Sequence, residues 1–140
     1  MPRIIKVVVA VVAVVLLLFS ACIAENAVLS VKPKRYKDLT KFYIYANISK
    51  NTIKCRANAE NHIKENWIVV EIVLESRKKN DEKWSNLDSW TDSGKIFLFL
   101  KHDKSVKHGY EYRLKGICKI KDKNGKCLET IVKYSKIVSS

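Results

Sequence analysis

The stretch 67–76, WIVVEIVLES, sets Ile68, Val70, Ile72 and Leu74 on one phase and Glu71 and Glu75 on the other. Successive side chains of an extended chain point to opposite faces, so a period of two marks a strand with one buried side. This period recurs at short intervals to the C-terminus. Residues 42–49 (FYIYANIS) are aromatic and β-branched and suit a first strand, followed by a turn at Ser49-Lys50-Asn51. Residues 52–59 set Ile53, Cys55, Ala57 and Ala59 on one face. Residues 77–83 are charged and hold Asn80-Asp81, which reads as a hairpin loop, and residues 84–90 return with Trp84, Leu87 and Trp90. Asp92-Ser93-Gly94 reads as a turn, residues 95–100 (KIFLFL) as a strand and residues 101–108 as a charged loop. In residues 109–120, Tyr110, Tyr112, Leu114, Gly116 and Cys118 share a face. Asn124-Gly125 predicts a two-residue hairpin turn with positive φ at both positions, and residues 126–138 run back as the last strand.

About seven short strands at regular spacing, with no convincing helical period, predict an all-β fold. The expected architecture is a single immunoglobulin-like or fibronectin type III-like β-sandwich. With 2 prolines and 4 glycines the chain is neither collagen-like nor low-complexity. No internal repeat is visible.

The first two dozen residues follow a different rule. Arg3 and Lys6 precede an uncharged apolar run from Val7 to Phe19, and small residues follow it. That run is short for a membrane span, which needs ~20 apolar residues. It reads as a secretory signal peptide over residues 1–24, cleaved between Ala24 and Glu25. Phe19-Ser20-Ala21-Cys22 also resembles a lipobox, which would make Cys22 an acylated anchor, although Phe19 departs from the usual aliphatic residue. An uncleaved anchor is a third reading, and all three place the folded part outside the cytoplasm. Residues 25–41 read as a basic leader or linker and residues 42–140 as the sandwich domain.

Cleavage behind Ala24 leaves Cys55, Cys118 and Cys127. An odd count in an exported protein means one pair and a free thiol, or no bond. Cys55 and Cys118 sit on the inward phases of the second and sixth strands, which face each other in an immunoglobulin-type sandwich. A bond between them would stabilise the small domain by ~2–4 kcal/mol. In a two-residue Asn124-Gly125 hairpin Cys118 faces Ile131 and Cys127 faces Asp122, which argues against a bond between Cys118 and Cys127. Reduced thiols packed as small hydrophobes are the remaining reading.

The chain carries 27 Lys and Arg against 14 Asp and Glu, a net charge of +13. Without Arg3 and Lys6 the balance is 25 against 14, or +11. Such a field draws polyanions: wall polymers, anionic lipid surfaces, extracellular nucleic acid. The same lysines also serve solubility and protect strand edges from pairing.

Nothing in the sequence assembles a catalytic centre. His62, His102 and His108 fall in separate segments, Glu71 and Glu75 belong to the outward phase of one strand, and no zinc, nucleotide-binding or nucleic-acid motif is present. No cofactor or metal is expected. Trp84 and Trp90, six residues apart on one expected strand, would share a face. They read as rim packing or as a platform stacking on sugar rings. Gly109-Tyr110-Glu111-Tyr112 falls where a sandwich keeps a tyrosine corner, so one of its tyrosines is expected to bond the backbone of the preceding loop.

Three segments, LESRKKNDEKWSNLDSW, HGYEYRLKG and KDKNGKCLETIVKYS, carry a resemblance. In this order they are similar to a family of small secreted proteins of Gram-positive bacteria known only as a domain of unknown function. Its pattern runs W-x-x-V-x-x-W, then G-x-x-Y-R-V, then an N-G-K hairpin followed by E-x-x-x-x-Y-S. Leu87 and Leu114 stand where the family often has Val. The resemblance implies an immunoglobulin-like or fibronectin type III-like sandwich and no activity. The expectation is a secreted, non-catalytic basic module held at the cell envelope by anionic polymer. The alternatives are a carbohydrate- or protein-binding module using Trp84 and Trp90, and a surface lipoprotein anchored through Cys22.

Overall fold

The computed structural model describes residues 39–140. The signal segment, its Ala24–Glu25 junction, Cys22 and most of the expected leader lie outside the described residues. The described chain is all-β: β1 (Leu39–Ser49), β2 (Thr52–Asn61), β3 (Trp67–Lys78), β4 (Ser85–Gly94), β5 (Phe97–Ser105), β6 (Tyr110–Lys121), β7 (Cys127–Tyr134) and the short β8 (Val138–Ser139). Two antiparallel sheets form, one in the order β1-β2-β5, the other β4-β3-β6-β7 with β8 also on β6. β1 begins three residues inside the expected leader, where Leu39 is already buried.

The core lies between the sheets and is built from the inward phases. Ile53, Cys55, Ala57 and Ala59 of β2 face Ile68, Val70, Ile72 and Leu74 of β3 and Leu114, Cys118 and Ile120 of β6, all at most 1% exposed. Two small residues on β2 and Gly116 on β6 make this a thin layer. A Cβ at Gly116 would stand 2.6 Å from Ile44 Cγ2 and 2.9 Å from Phe42 Cζ, so only glycine lets β1 come down onto β6. Cys55 and Cys118 hold the expected inward positions in opposite sheets and are free thiols in this structure.

Four local expectations need correction. The Asn124-Gly125 turn is a three-residue loop. Gly125 alone has positive φ (82°), its N–H donates to Asp122 O at 3.0 Å, and Asp122 N–H donates to Lys126 O. The Asp122 carboxylate drives this choice by accepting from the N–H groups of Asn124 and Lys126, both at 2.9 Å. Cys127 therefore faces Lys121 rather than Asp122. A bulge between Ile120 and Lys121 then restores the expected register, so Cys118 does face Ile131.

Asp92-Ser93-Gly94 is not a turn. It is the end of β4, paired with Val70, Val69 and Ile68, and the chain crosses between sheets at Lys95-Ile96. Nor are residues 101–105 a loop, because they extend β5 along β2 as far as Ser105 opposite Thr52. A strand this charged persists because Arg56 bridges Asp103 at 2.7 Å and Lys104 bridges Asp88 at 2.5 Å. Finally, the last expected strand breaks after Tyr134. There Ser135 N–H donates to Leu114 O at 2.9 Å, and its Oγ accepts from Leu114 N–H at 2.8 Å, closing β7 before β8 returns to β6 at Tyr112.

Candidate functional site

The two tryptophans expected on one face lie on opposite sides of their sheet. The register shifts between Leu74 and Glu75: Asp88 faces Leu74 but Asn86 faces Glu75, which leaves Leu87 as an extra residue. A bulge inverts the alternation on either side of it. Trp90 faces Ile72, packs against the core and stacks on His102, with ring centroids 4.6 Å apart and planes 6° from parallel. This stack and the Lys104–Asp88 bridge tie β4 to β5 across the open side of the sandwich.

Trp84 lies on the outer face. Its ring is covered by the guanidinium groups of Arg77 at 4.5 Å and Arg113 at 4.2 Å, and Arg113 also sits 4.5 Å from the Tyr134 ring. Each arginine is in turn fixed by a carboxylate, Arg77 by Glu111 and Arg113 by Glu75, both at 2.6 Å. Desolvated guanidinium–aromatic contacts of this kind contribute ~0.5–2 kcal/mol each. Trp84 thus clips the 79–84 loop to the sheet, and its ring is already occupied.

At the corner expected from Gly109-Tyr110-Glu111-Tyr112, Tyr112 is the residue that reaches back. Its hydroxyl accepts from Lys107 N–H at 2.8 Å and donates to Lys107 O at 3.2 Å, with the ring 2% exposed. Gly109 supplies the positive φ (82°) that starts β6, while Tyr110 is half-buried against the core.

The titratable groups are spread out. His62 is in the β2–β3 loop, His102 is stacked on Trp90 and His108 is in the turn before β6. Burial pushes the Cys55 and Cys118 thiols up to about 12. The hydrogen bond from Lys104 holds Asp88 below the usual carboxylate range, and that from Arg56 does the same for Asp103. Cys55 and Cys118 are closed off in the core, while Asp88 borders a shallow cleft of about 270 Å³ with Glu71, Asn86 and Ser89 and holds Lys104 there.

An open site does exist at the other end of the outer face. Trp67 begins β3 on the outward phase, faces Lys121 across the ladder and is 42% exposed. Trp67, Val69, Ser93, Lys121, Asp122, Lys123 and Gly125 line a cleft of about 320 Å³. Lys95, at the sheet crossover, holds its ammonium 5.3 Å from the Trp67 ring. Among the described residues all three arginines are in ion pairs, whereas Lys95, Lys121 and Lys123 are in none. The acid beside them, Asp122, has a carboxylate oxygen held by the turn it caps.

The cleft thus presents an apolar ring with three lysines and one carboxylate, Asp122, around it, a local excess of positive charge. Such an arrangement attracts a phosphate or carboxylate attached to an apolar or sugar moiety. Sequence reading did not single out Trp67, although a signal was available, since a tryptophan in phase with Glu71 and Glu75 belongs on the solvent side. The lysines could not be placed, because they come from three separate places: the β4–β5 crossover, the end of β6 and the β6–β7 loop. Compared with known proteins, the chain matches no protein-family model, and no curated protein matches it significantly.

Proposed function

We propose that this chain is a secreted, non-catalytic β-sandwich module, held at a bacterial cell envelope by anionic polymer that it takes in the cleft around Trp67. The observation that carries the reading is the convergence of Lys95, Lys121 and Lys123 on an exposed indole with no ion-pair partners. The charge excess without Arg3 and Lys6, +11 from 25 basic against 14 acidic residues, adds a long-range attraction of the same sign. The order β1-β2-β5 facing β4-β3-β6-β7, with Tyr112 in the corner before β6, supports a fibronectin type III-like sandwich. Such a fold hosts many functions, and binding is assigned here to the cleft. Export, whether through cleavage after Ala24 or acylation at Cys22, rests on the N-terminal residues alone. The tryptophan-platform reading loses ground because Trp84 and Trp90 lie on opposite sides, each ring already in contact.

The test is a titration of the full chain with soluble poly(glycerol phosphate), read by tryptophan emission over a salt series. Surface charges are screened within ~10 Å at 0.1 M salt and within ~3 Å at 1 M, so binding should weaken steeply across that range. Lys121→Gln with Lys123→Gln should weaken it further at low salt. A salt-independent affinity, or one unchanged by both substitutions, would sink the proposal.

A further inference from the structure

The outer face of the β1-β2-β5 sheet carries four exposed aromatic rings. On β1, Tyr43 and Tyr45 point outward and are 61% and 57% exposed, and on β5 Phe97 and Phe99 are 54% and 52% exposed. β2 lies between them and is polar on this side. Register sets Tyr43, Asn58 and Phe99 in one row across the three strands, and Tyr45, Arg56 and Lys101 in the next. Lys41, Glu60 and Phe97 form a third row, so the two columns of rings flank a carboxylate, an amide and a guanidinium that is bound to Asp103, and Lys133 Nζ lies 5.8 Å from the Tyr43 ring.

We propose that this face binds a β-linked glycan strand, by stacking of sugar rings on the two aromatic columns. Two features favour that occupant. The first is shape. Tyr43 and Phe99 are two strands apart, roughly 10 Å, and Tyr43 and Tyr45 are roughly 6.5–7 Å apart along β1. The larger spacing is that of alternate sugars in an extended β-linked chain, which present the same face.

The second feature is chemistry. A protein partner would find a patch broken by a polar column, whereas interfaces between proteins concentrate apolar area at their centre. A pyranose needs the opposite, an aromatic plane for its C–H face and polar groups beside it for its hydroxyls. This surface is separate from the Trp67 cleft and carries a different prediction about salt, because ring stacking is not screened.

The experiment is retention of the full chain on chitin, an insoluble β-linked N-acetylglucosamine polymer, at ~1 M salt, where charge attraction is suppressed. Chitohexaose serves as the soluble competitor. Retention should persist in salt and fall as the competitor is added. Tyr43→Ala with Phe99→Ala should weaken it by at least roughly tenfold, from the loss of two ring contacts. Lys121→Gln with Lys123→Gln should leave it unchanged, which separates this face from the cleft whatever the polyphosphate titration gives. Both rings are exposed, so an unchanged melting temperature shows that the double variant is folded. No retention of the wild-type chain, or equal retention of the double variant, would overturn the proposal. So would concentration-dependent self-association that the double variant abolishes without glycan binding, because the occupant would then be a second copy of the chain.

Discussion

Removing one oxygen at the Tyr112 corner tests the fold account directly. In Tyr112→Phe the ring stays in a site that is 2% exposed, so apolar burial is unchanged. Two hydrogen bonds to Lys107 are lost, the shorter one at 2.8 Å. A net bond contributes ~0.5–1.5 kcal/mol, and an orphaned buried group costs more. Lys107 is exposed, so water takes over part of the lost pairing, and the expected destabilisation is ~1–2 kcal/mol. For a domain of this size 1 kcal/mol moves the melting temperature by ~4–8 °C, which makes the expected drop ~4–16 °C. Tyr110→Phe is the control, because its hydroxyl is unbonded among the described residues; it should shift by less than ~0.5 kcal/mol. Thermal unfolding followed by far-UV circular dichroism measures both. Equal shifts in the two variants, or none in Tyr112→Phe, would refute the view that this corner holds the β5–β6 loop.

Two further predictions bear on the core. Gly116→Ala places a methyl 2.6 Å from Ile44 Cγ2, and overpacking of this kind costs ~1–3 kcal/mol; a melting temperature at or above wild type would mean that β1 is not held down on β6. Of the three cysteines in the domain, Cys127 should alkylate promptly at neutral pH while Cys55 and Cys118 stay protected until the chain is denatured, because burial raises their thiols to about 12. Peptide mass mapping after a short iodoacetamide pulse reads this out, and rapid labelling of Cys118 would contradict the packing.

The strand pattern was legible wherever one phase was apolar and the other polar. β2 follows its sequence period residue by residue, and Ile68, Val70, Ile72 and Leu74 of β3 are fully buried as expected, but Val73 and Glu75 on the outward phase are buried too, at 7% and 8% exposed. What failed were places decided by one side chain or by a distant partner. The Asp122 carboxylate converts a two-residue hairpin into a three-residue loop, and a bulge a few residues later cancels the shift. The bulge at Leu87 turned a pair of tryptophans that would share a face into one inside and one outside. A hydrophobicity pattern carries no mark of either bulge. The charged end of β5 is a strand because Arg56 and Asp88 receive its side chains, and both are far away in sequence.

The strands at 42–49 and 95–100 carry aromatic residues whose placement itself points to a surface. In FYIYANIS and KIFLFL both phases are apolar, and a strand at the edge of a two-layer sandwich has only one face to bury. The inner space is limited, because Ala57, Ala59 and Gly116 bring the sheets close and leave room for Phe42 and Leu98 but not for a second set of rings. Tyr43, Tyr45, Phe97 and Phe99 therefore stand in water. Burying such a ring contributes ~1.5–3 kcal/mol, so four exposed ones leave a large apolar area without a partner. Threonine or lysine at these positions would keep the strand and avoid the exposure. A single unburied ring needs no explanation, but four in two aligned columns astride a polar strand are an arrangement, and the free energy left in that face is available to whatever covers it.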